Sequence, residues 1–323
     1  MRIVLIAAAA AWLWSPGVLF AQTASYPTKP VRYLIPFTAG DSPDIVGRLL
    51  GERLTRLWGQ TVVVENRVGA GGTVGAAVAA KAPADGYSLF QCNIASNAIA
   101  ASLYAALPYQ PLRDFAPISR IATTSSALIA HPSAPASSIA QLVAYAKANP
   151  GKLSYGSPGV GTSPHLSMEL LKLLTKIDVV HVAYKGAAPV IADVLGGQIP
   201  IGIVNIPALV PLVQAGRVRA LAVTGGKRAS PWPSVPTMAE AGVSGYNVTS
   251  WYGLCAPTGT PRAIIDKVNT DLGTVLRAPD VLQRFSDLVI DAAPTSPEEF
   301  AEFIAVETSR WAKVVKAAGI SQQ

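Results

Sequence analysis

Thr38, Gly40, Asp41, Ser42 and Asp44 stand together in PFTAGDSPDIVGRLL (residues 36–50), directly after the aromatic Phe37 and a strand-like run, and directly before an amphipathic helix. Where a strand runs into a helix, the first amide N–H groups of the helix find no carbonyl partner. With the helix dipole, they suit an anion such as a carboxylate. YGSPGVGTSPH (residues 155–165) repeats the arrangement with Ser157, Gly159, Gly161, Thr162 and Ser163, and His165 falls in the first turn of the following helix. One such corner on each side of a cleft would grip an acid group with main-chain donors. Either corner alone could equally be a capped turn that holds nothing.

Other chemistries find less support. The serines of YGSPG and GTSPH do not form G-x-S-x-G, and no acid and base follow them in order. His131, His165 and His181 are too dispersed for a zinc triad, and neither H-x-x-x-H nor C-x-x-C spacing occurs, so no metal is expected. GAGGTVG (residues 69–75) imitates a dinucleotide fingerprint. Yet the next strand-like run ends in Asn93 rather than an acid, so the glycines read as close helix–sheet packing and no cofactor is expected. The formal net charge of +7 is scattered over the chain without a basic run, which argues against a nucleic-acid partner. Trp251 and Tyr252 read as core or hinge aromatics, with ligand stacking as the alternative.

These corners need elements to hold them. Met1-Arg2, an apolar run from Ile3 to Trp14 and Leu19-Phe20-Ala21 read as a secretory signal peptide, residues 1–21, too short to span a bilayer. Strand–helix alternation then predicts a parallel α/β core: strands near 31–36, 61–65 and 87–93, and a helix over 42–58 with Ser42 as N-cap, Pro43 in its first turn and Gly59 as its stop. A second set opens with a long strand over 120–131, so two lobes are expected, with crossings near 120–126 and 221–255. Ser296 with Glu299 has capping-box spacing. The two cysteines, Cys92 and Cys255, could form one bridge if they meet in space.

The chain strongly resembles the periplasmic substrate-binding proteins of tripartite tricarboxylate transporters, the Bug family. The resemblance is carried by YPTKPVRYLIPFTAGDSPDIVGRLL, GQTVVVENRVGAGGTVGAAVAAKAPADGYSL, ASLYAALPYQPLRDFAPIS, VVHVAYKGAAPVIADVLGGQI, VRALAVTGGKRASPWPSVPTMAEAG, SWYGLCAPTGTP and WAKVVKAAGI, in order from Tyr26 to Ile320. It implies a two-lobe Venus-flytrap α/β protein of the type II periplasmic-binding-protein class, with lobe 1 at 25–123 plus 251–323 and lobe 2 at 124–250. It further implies a monomeric receptor, not an enzyme, that binds a small carboxylate (di- or tricarboxylate, or aromatic acid) and serves a membrane permease. An exported enzyme or a ligand-presenting sensor is the alternative.

Carried over by position, one carboxylate falls to Phe37, Thr38, Gly40, Asp41, Ser42 and Asp44 in one lobe, and to Ser157, Gly159, Gly161, Thr162, Ser163 and His165 in the other. Asn93, Ser96, Asn97 and Asn205 are implied to line the far end. In this fold class the returning strand lies beside the third, which brings Cys92 and Cys255 within reach of pairing or leaves both free. The family usually has Gly-Gly at Gly40-Asp41 and Asp-Asn at Val204-Asn205. Asp41 therefore either helps cap its helix or meets the ligand, and Val204 suggests a more apolar ligand.

Overall fold

A computed structural model describes residues 26–320; the expected signal peptide lies outside the described residues. The elements in chain order are β1 (Val31–Ile35), α1 (Ser42–Trp58), β2 (Val62–Asn66), α2 (Thr73–Ala80), β3 (Ser88–Asn93), α3 (Ala100–Leu103) and β4 (Phe115–Ala130). They continue with α4 (Ile139–Ala148), β5 (Ser154–Ser157), α5 (Ser163–Thr175), β6 (Val180–Ala183), α6 (Ala187–Leu195), β7 (Ile201–Asn205), α7 (Val210–Gln214) and β8 (Arg219–Val223). β9 (Thr249–Pro257), α8 (Arg262–Leu276), α9 (Pro279–Asp287), β10 (Ile290–Ala292) and α10 (Pro297–Ala317) complete the described chain.

The strand order β2-β1-β3-β9-β4-β7-β5-β6 joins two α/β lobes through β4. β2, β1 and β3 are parallel, as are β6, β5 and β7. β4 is antiparallel to its partners: it pairs with β9 from Phe115 to Ser125, then with β7 from Ser126 to Ala130. This strand is 16 residues long and begins five residues before the expected start at Arg120. Pro117, which has no N–H to give a ladder, lies in this early part, next to a register shift.

Burial follows the sequence pattern. β1 is covered on both sides, with Val31, Tyr33, Leu34 and Ile35 buried, as a parallel strand between helices must be. On α1 the stripe Val46, Leu50 and Leu54 is buried, each side chain contributing about 1.5–3 kcal/mol, while Leu57 is left exposed. Gly59 ends this helix in the left-handed conformation, at φ 63°. Its N-cap is Asp41 rather than Ser42, one residue earlier than expected, and the Asp41 side chain makes no bond to α1. The Ser296–Glu299 capping box is present. In GAGGTVG, a Cβ on Gly75 would lie 2.7 Å from Arg67 O, so this glycine lets α2 sit against the backbone beneath it. Cys92 and Cys255 form a disulfide between neighbouring strands β3 and β9.

Trp251 points into the core, donating its indole N–H to Glu307. By the two-residue alternation of a strand, Ser250 and Tyr252 face the other way, toward the cleft.

Candidate carboxylate cleft between the lobes

Three helices begin at one small cavity: α1 with Ser42, α5 with Ser163 and α6 with Ala187. The cavity has a volume of about 30 Å³. The space is room for little more than a water or two, so the lobes are nearly closed on one another. Ser42 and Ser163 come from opposite lobes. Among the described residues neither amide N–H has a hydrogen-bond acceptor. Both are therefore available to an anion, and each lies at the positive end of a helix dipole.

A directed hydrogen-bond chain joins these two helix starts. Asn205 at the end of β7 donates Nδ2–H to Tyr252 OH at 2.9 Å, and Tyr252 donates to Ser42 Oγ at 2.9 Å. Asn205 Oδ1 accepts from Ser126 Oγ at 2.8 Å and from Ser250 Oγ at 3.0 Å. Ser250 in turn accepts from Ser163 Oγ. Because Ser42 Oγ accepts from Tyr252, its own hydrogen is free to point at a ligand. Burial pushes the Tyr252 phenol well above its usual range, so it stays a donor.

The second corner is held by rings. Tyr155, His181 and His165 stack in sequence, with ring centres 4.8 Å and 4.2 Å apart. Burial lowers His165 to about 3 and His181 to about 4, so both are neutral near pH 7. His165 Nδ1 accepts the Gly161 N–H at 3.2 Å, and Ser157 Oγ accepts the Gly159 N–H at 3.3 Å. These amides hold the loop in shape. Ser157 also bonds His181 Nε2 at 2.7 Å. Thr162 caps α5, its side chain accepting from the His165 N–H.

A family model described as tripartite tricarboxylate transporter family receptor matches residues 46–320. BugT of Bordetella pertussis is 35% identical over 296 residues, covering 91% of this chain and 91% of BugT. The chain belongs to this receptor family. Rpa4515 of R. palustris, solved with adipate, superposes with a TM-score of 0.89 at 38% identity, over 92% of this chain and 99% of that one. MatC of Rhodopseudomonas palustris, solved with bound malate, gives 0.84 at 31% identity, over 90% of this chain and 100% of MatC. With these matches the receptor has the two-lobe periplasmic-binding-protein fold, built on a mixed α/β sheet.

In this receptor the cavity brings together Phe37, Asp41, Ser42, Asn93, Thr162, Ser163 and Asn205. Thr38 and Gly159 line a larger outer chamber of about 480 Å³, which shares Phe37, Asp41 and Pro158 with the cavity. Gly40, Asp44, Ser96, Asn97, Ser157, Gly161 and His165 line neither. Asp44 is held by the Gly40 N–H, Arg48 Nε and Asn66 Nδ2 at 2.8–2.9 Å, and these donors keep its carboxyl below the usual range although burial opposes them. Ser96 and Asn97 close the turn after β3, where Ser96 Oγ accepts from Asn93 Nδ2 and donates to Asn97 Oδ1. The Asn93 side-chain oxygen Oδ1 accepts from the Ala95 and Ser96 amides, so Asn93 lines the cavity while its side chain caps that turn.

Sequence reasoning missed Ser126, Ser250 and Ala187, and left Tyr252 open. Alternation along SWY, with Trp251 claimed by the core, was the one available signal for Ser250 and Tyr252. Asp41 holds the N-cap position of α1, but its side chain does not bond that helix. Its Oδ1 accepts the N–H of Ala187, in the other lobe, at 2.9 Å. Its Oδ2 accepts from Thr38 Oγ1 at 2.7 Å. Among the described residues lining the cavity there is no Lys, Arg or His, and Asp41 is the one carboxylate.

Proposed function

We propose that this receptor closes its lobes, 25–123 plus 251–323 and 124–250, on one small organic carboxylate in the periplasm and delivers it to a membrane permease. The observation that carries the reading is the meeting of the Ser42 and Ser163 amides, one from each lobe, at one cavity. An acid group there would accept both N–H groups and the free Ser42 hydroxyl. Asn93 and Asn205 would stand beside it, with Phe37, Thr162 and Val204 as walls. Adipate on Rpa4515 and malate on MatC support the ligand class. Closure gains free energy only when both helix starts touch the same anion, as a population shift requires.

Export through cleavage of residues 1–21 fits a receptor of this family, and the Cys92–Cys255 disulfide fits an oxidising compartment. Among the described residues no helix is long and apolar enough to cross a membrane. The mature protein acts as a monomer and leaves its ligand unchanged. Ser163, the hydroxyl nearest to a nucleophile, faces Ser250 rather than a base.

A thermal-shift screen of the mature protein against mono-, di- and tricarboxylates, aromatic acids included, tests this. A true ligand at about 100 times its Kd adds roughly 2.7 kcal/mol, and mass spectrometry recovers it intact. A screen in which amines or neutral sugars stabilise the protein and no acid does would contradict the proposal.

A further inference from the structure

We propose that Asp41 is a specificity-determining residue: seated on the start of α6 across the cleft, its carboxylate supplies the negative charge at that corner and selects ligands with one carboxylate and a neutral or cationic far end over dicarboxylates. The inference rests on reading the cavity as a carboxylate site.

Of the three helix starts at the cavity, those of α1 and α5 are open and that of α6 is already taken by the protein's own acid. The contact is built. Asp41 is 5% exposed, and both of its oxygens are engaged, by the Ala187 N–H and by Thr38 Oγ1. Gly186, the residue before α6, has φ +108°, and a Cβ there would stand 2.3 Å from Thr38 Oγ1 and 3.2 Å from Asp41 Oδ2. A glycine thus lets the lobe-1 loop reach the helix start of lobe 2.

The charges around Asp41 leave it without a cation. Asp44, its acidic neighbour, is paired with Arg48, while no ion pair forms to Asp41 among the described residues. Lys185 is exposed on the outer chamber and does not line the cavity. Burial pushes the Asp41 carboxyl above its usual range, opposed by its two hydrogen bonds. A second ligand carboxylate here would face Asp41 with little water between them, where like charges repel strongly. An ammonium, amide or hydroxyl would instead donate to it.

Calorimetric titration of the mature protein with matched sets tests this: butyrate, succinate and 4-aminobutyrate; hexanoate, adipate and 6-aminohexanoate; benzoate, terephthalate and 4-(aminomethyl)benzoate. In each set that binds, the diacid is expected to be at least tenfold weaker than the tighter of its partners. Asp41→Asn keeps the side-chain size and an acceptor for Ala187, and should narrow that gap to under threefold. A wild-type protein that binds a diacid as tightly as its partners overturns the inference, even if the variant does not fold. So does a gap that Asp41→Asn leaves unchanged, and in both cases the carboxylate reading stands. Binding of no acid from any set overturns both.

Discussion

Tyr252 donates its phenolic hydrogen to Ser42 Oγ at 2.9 Å, joining the strand that returns from lobe 2 to the first residue of the helix that opens lobe 1. The Tyr252 phenolic oxygen in turn accepts from Asn205 Nδ2 of β7, so the Ser42 hydroxyl is oriented by residues brought in from two other strands.

Tyr252→Phe removes that oxygen and leaves the Asn205 Nδ2–H without its partner inside the protein. Asn205 is half-buried, so the orphaned donor costs about 1 kcal/mol, the low end of the range for a buried one. The expected outcome is a melting temperature lowered by several degrees and ligand affinity reduced about tenfold, read by calorimetry. Affinity equal to wild type would show that the chain does not set the Ser42 donor.

Gly186→Ala should block closure more than folding. The added Cβ meets Thr38 Oγ1 across the cleft, and the positive φ with an extended ψ, a conformation nearly exclusive to glycine, adds strain of about 1–3 kcal/mol. Small-angle scattering is expected to show contraction on ligand addition for the wild type and little for the variant. Adding Thr38→Ala should restore part of it, whereas strain alone would leave the double variant as open as the single one.

The stacked histidines make stability depend on pH. Both have folded-state values lowered by burial, His165 to about 3 and His181 to about 4, from an ordinary 6.5. Below about 6.5 the unfolded chain binds more protons at these sites, so stability is full above that pH and falls as pH drops toward 4. Each histidine can remove up to about 1.4 kcal/mol per pH unit in that window. Chemical denaturation at pH 7.5 and pH 5 should show the loss, and His181→Gln should reduce it. A flat profile between these pH values would refute the burial of neutral rings.

The Cys92–Cys255 bridge closes a separation of 163 residues. Chain entropy places its contribution at up to about 5 kcal/mol. Reduction, or Cys92→Ala with Cys255→Ala, should lower the melting temperature clearly, and alkylation of the oxidised protein should add no mass.

The sequence made the local parts of this molecule readable. Val31 to Ile35 followed by the Val46, Leu50 and Leu54 stripe carries the periods of a strand and a helix within one stretch, and Gly59 marks the stop. The corner at Ser163 was legible for the same reason, because its serine, proline and glycines act on their own backbone. What could not be read are partnerships made by folding. Asp41 was read as a cap for the helix beside it or as a ligand contact, but its side chain's partner, the Ala187 amide, lies 146 residues away. Gly159 and Gly161 looked like donors for a ligand, yet their N–H groups are answered by Ser157 and His165 within the loop. The first five residues of β4, Phe115 to Ser119, were missed; they include Pro117, and their pairing with β9 is accommodated by a register shift.

The most direct test is a crystal structure of the mature protein with a carboxylate found by the thermal screen. The account predicts carboxylate oxygens within about 3.2 Å of both the Ser42 and Ser163 amide nitrogens, with Asp41 still bonded to Ala187. An acid group bound away from both serines, for instance in the outer chamber against Lys185, would contradict it.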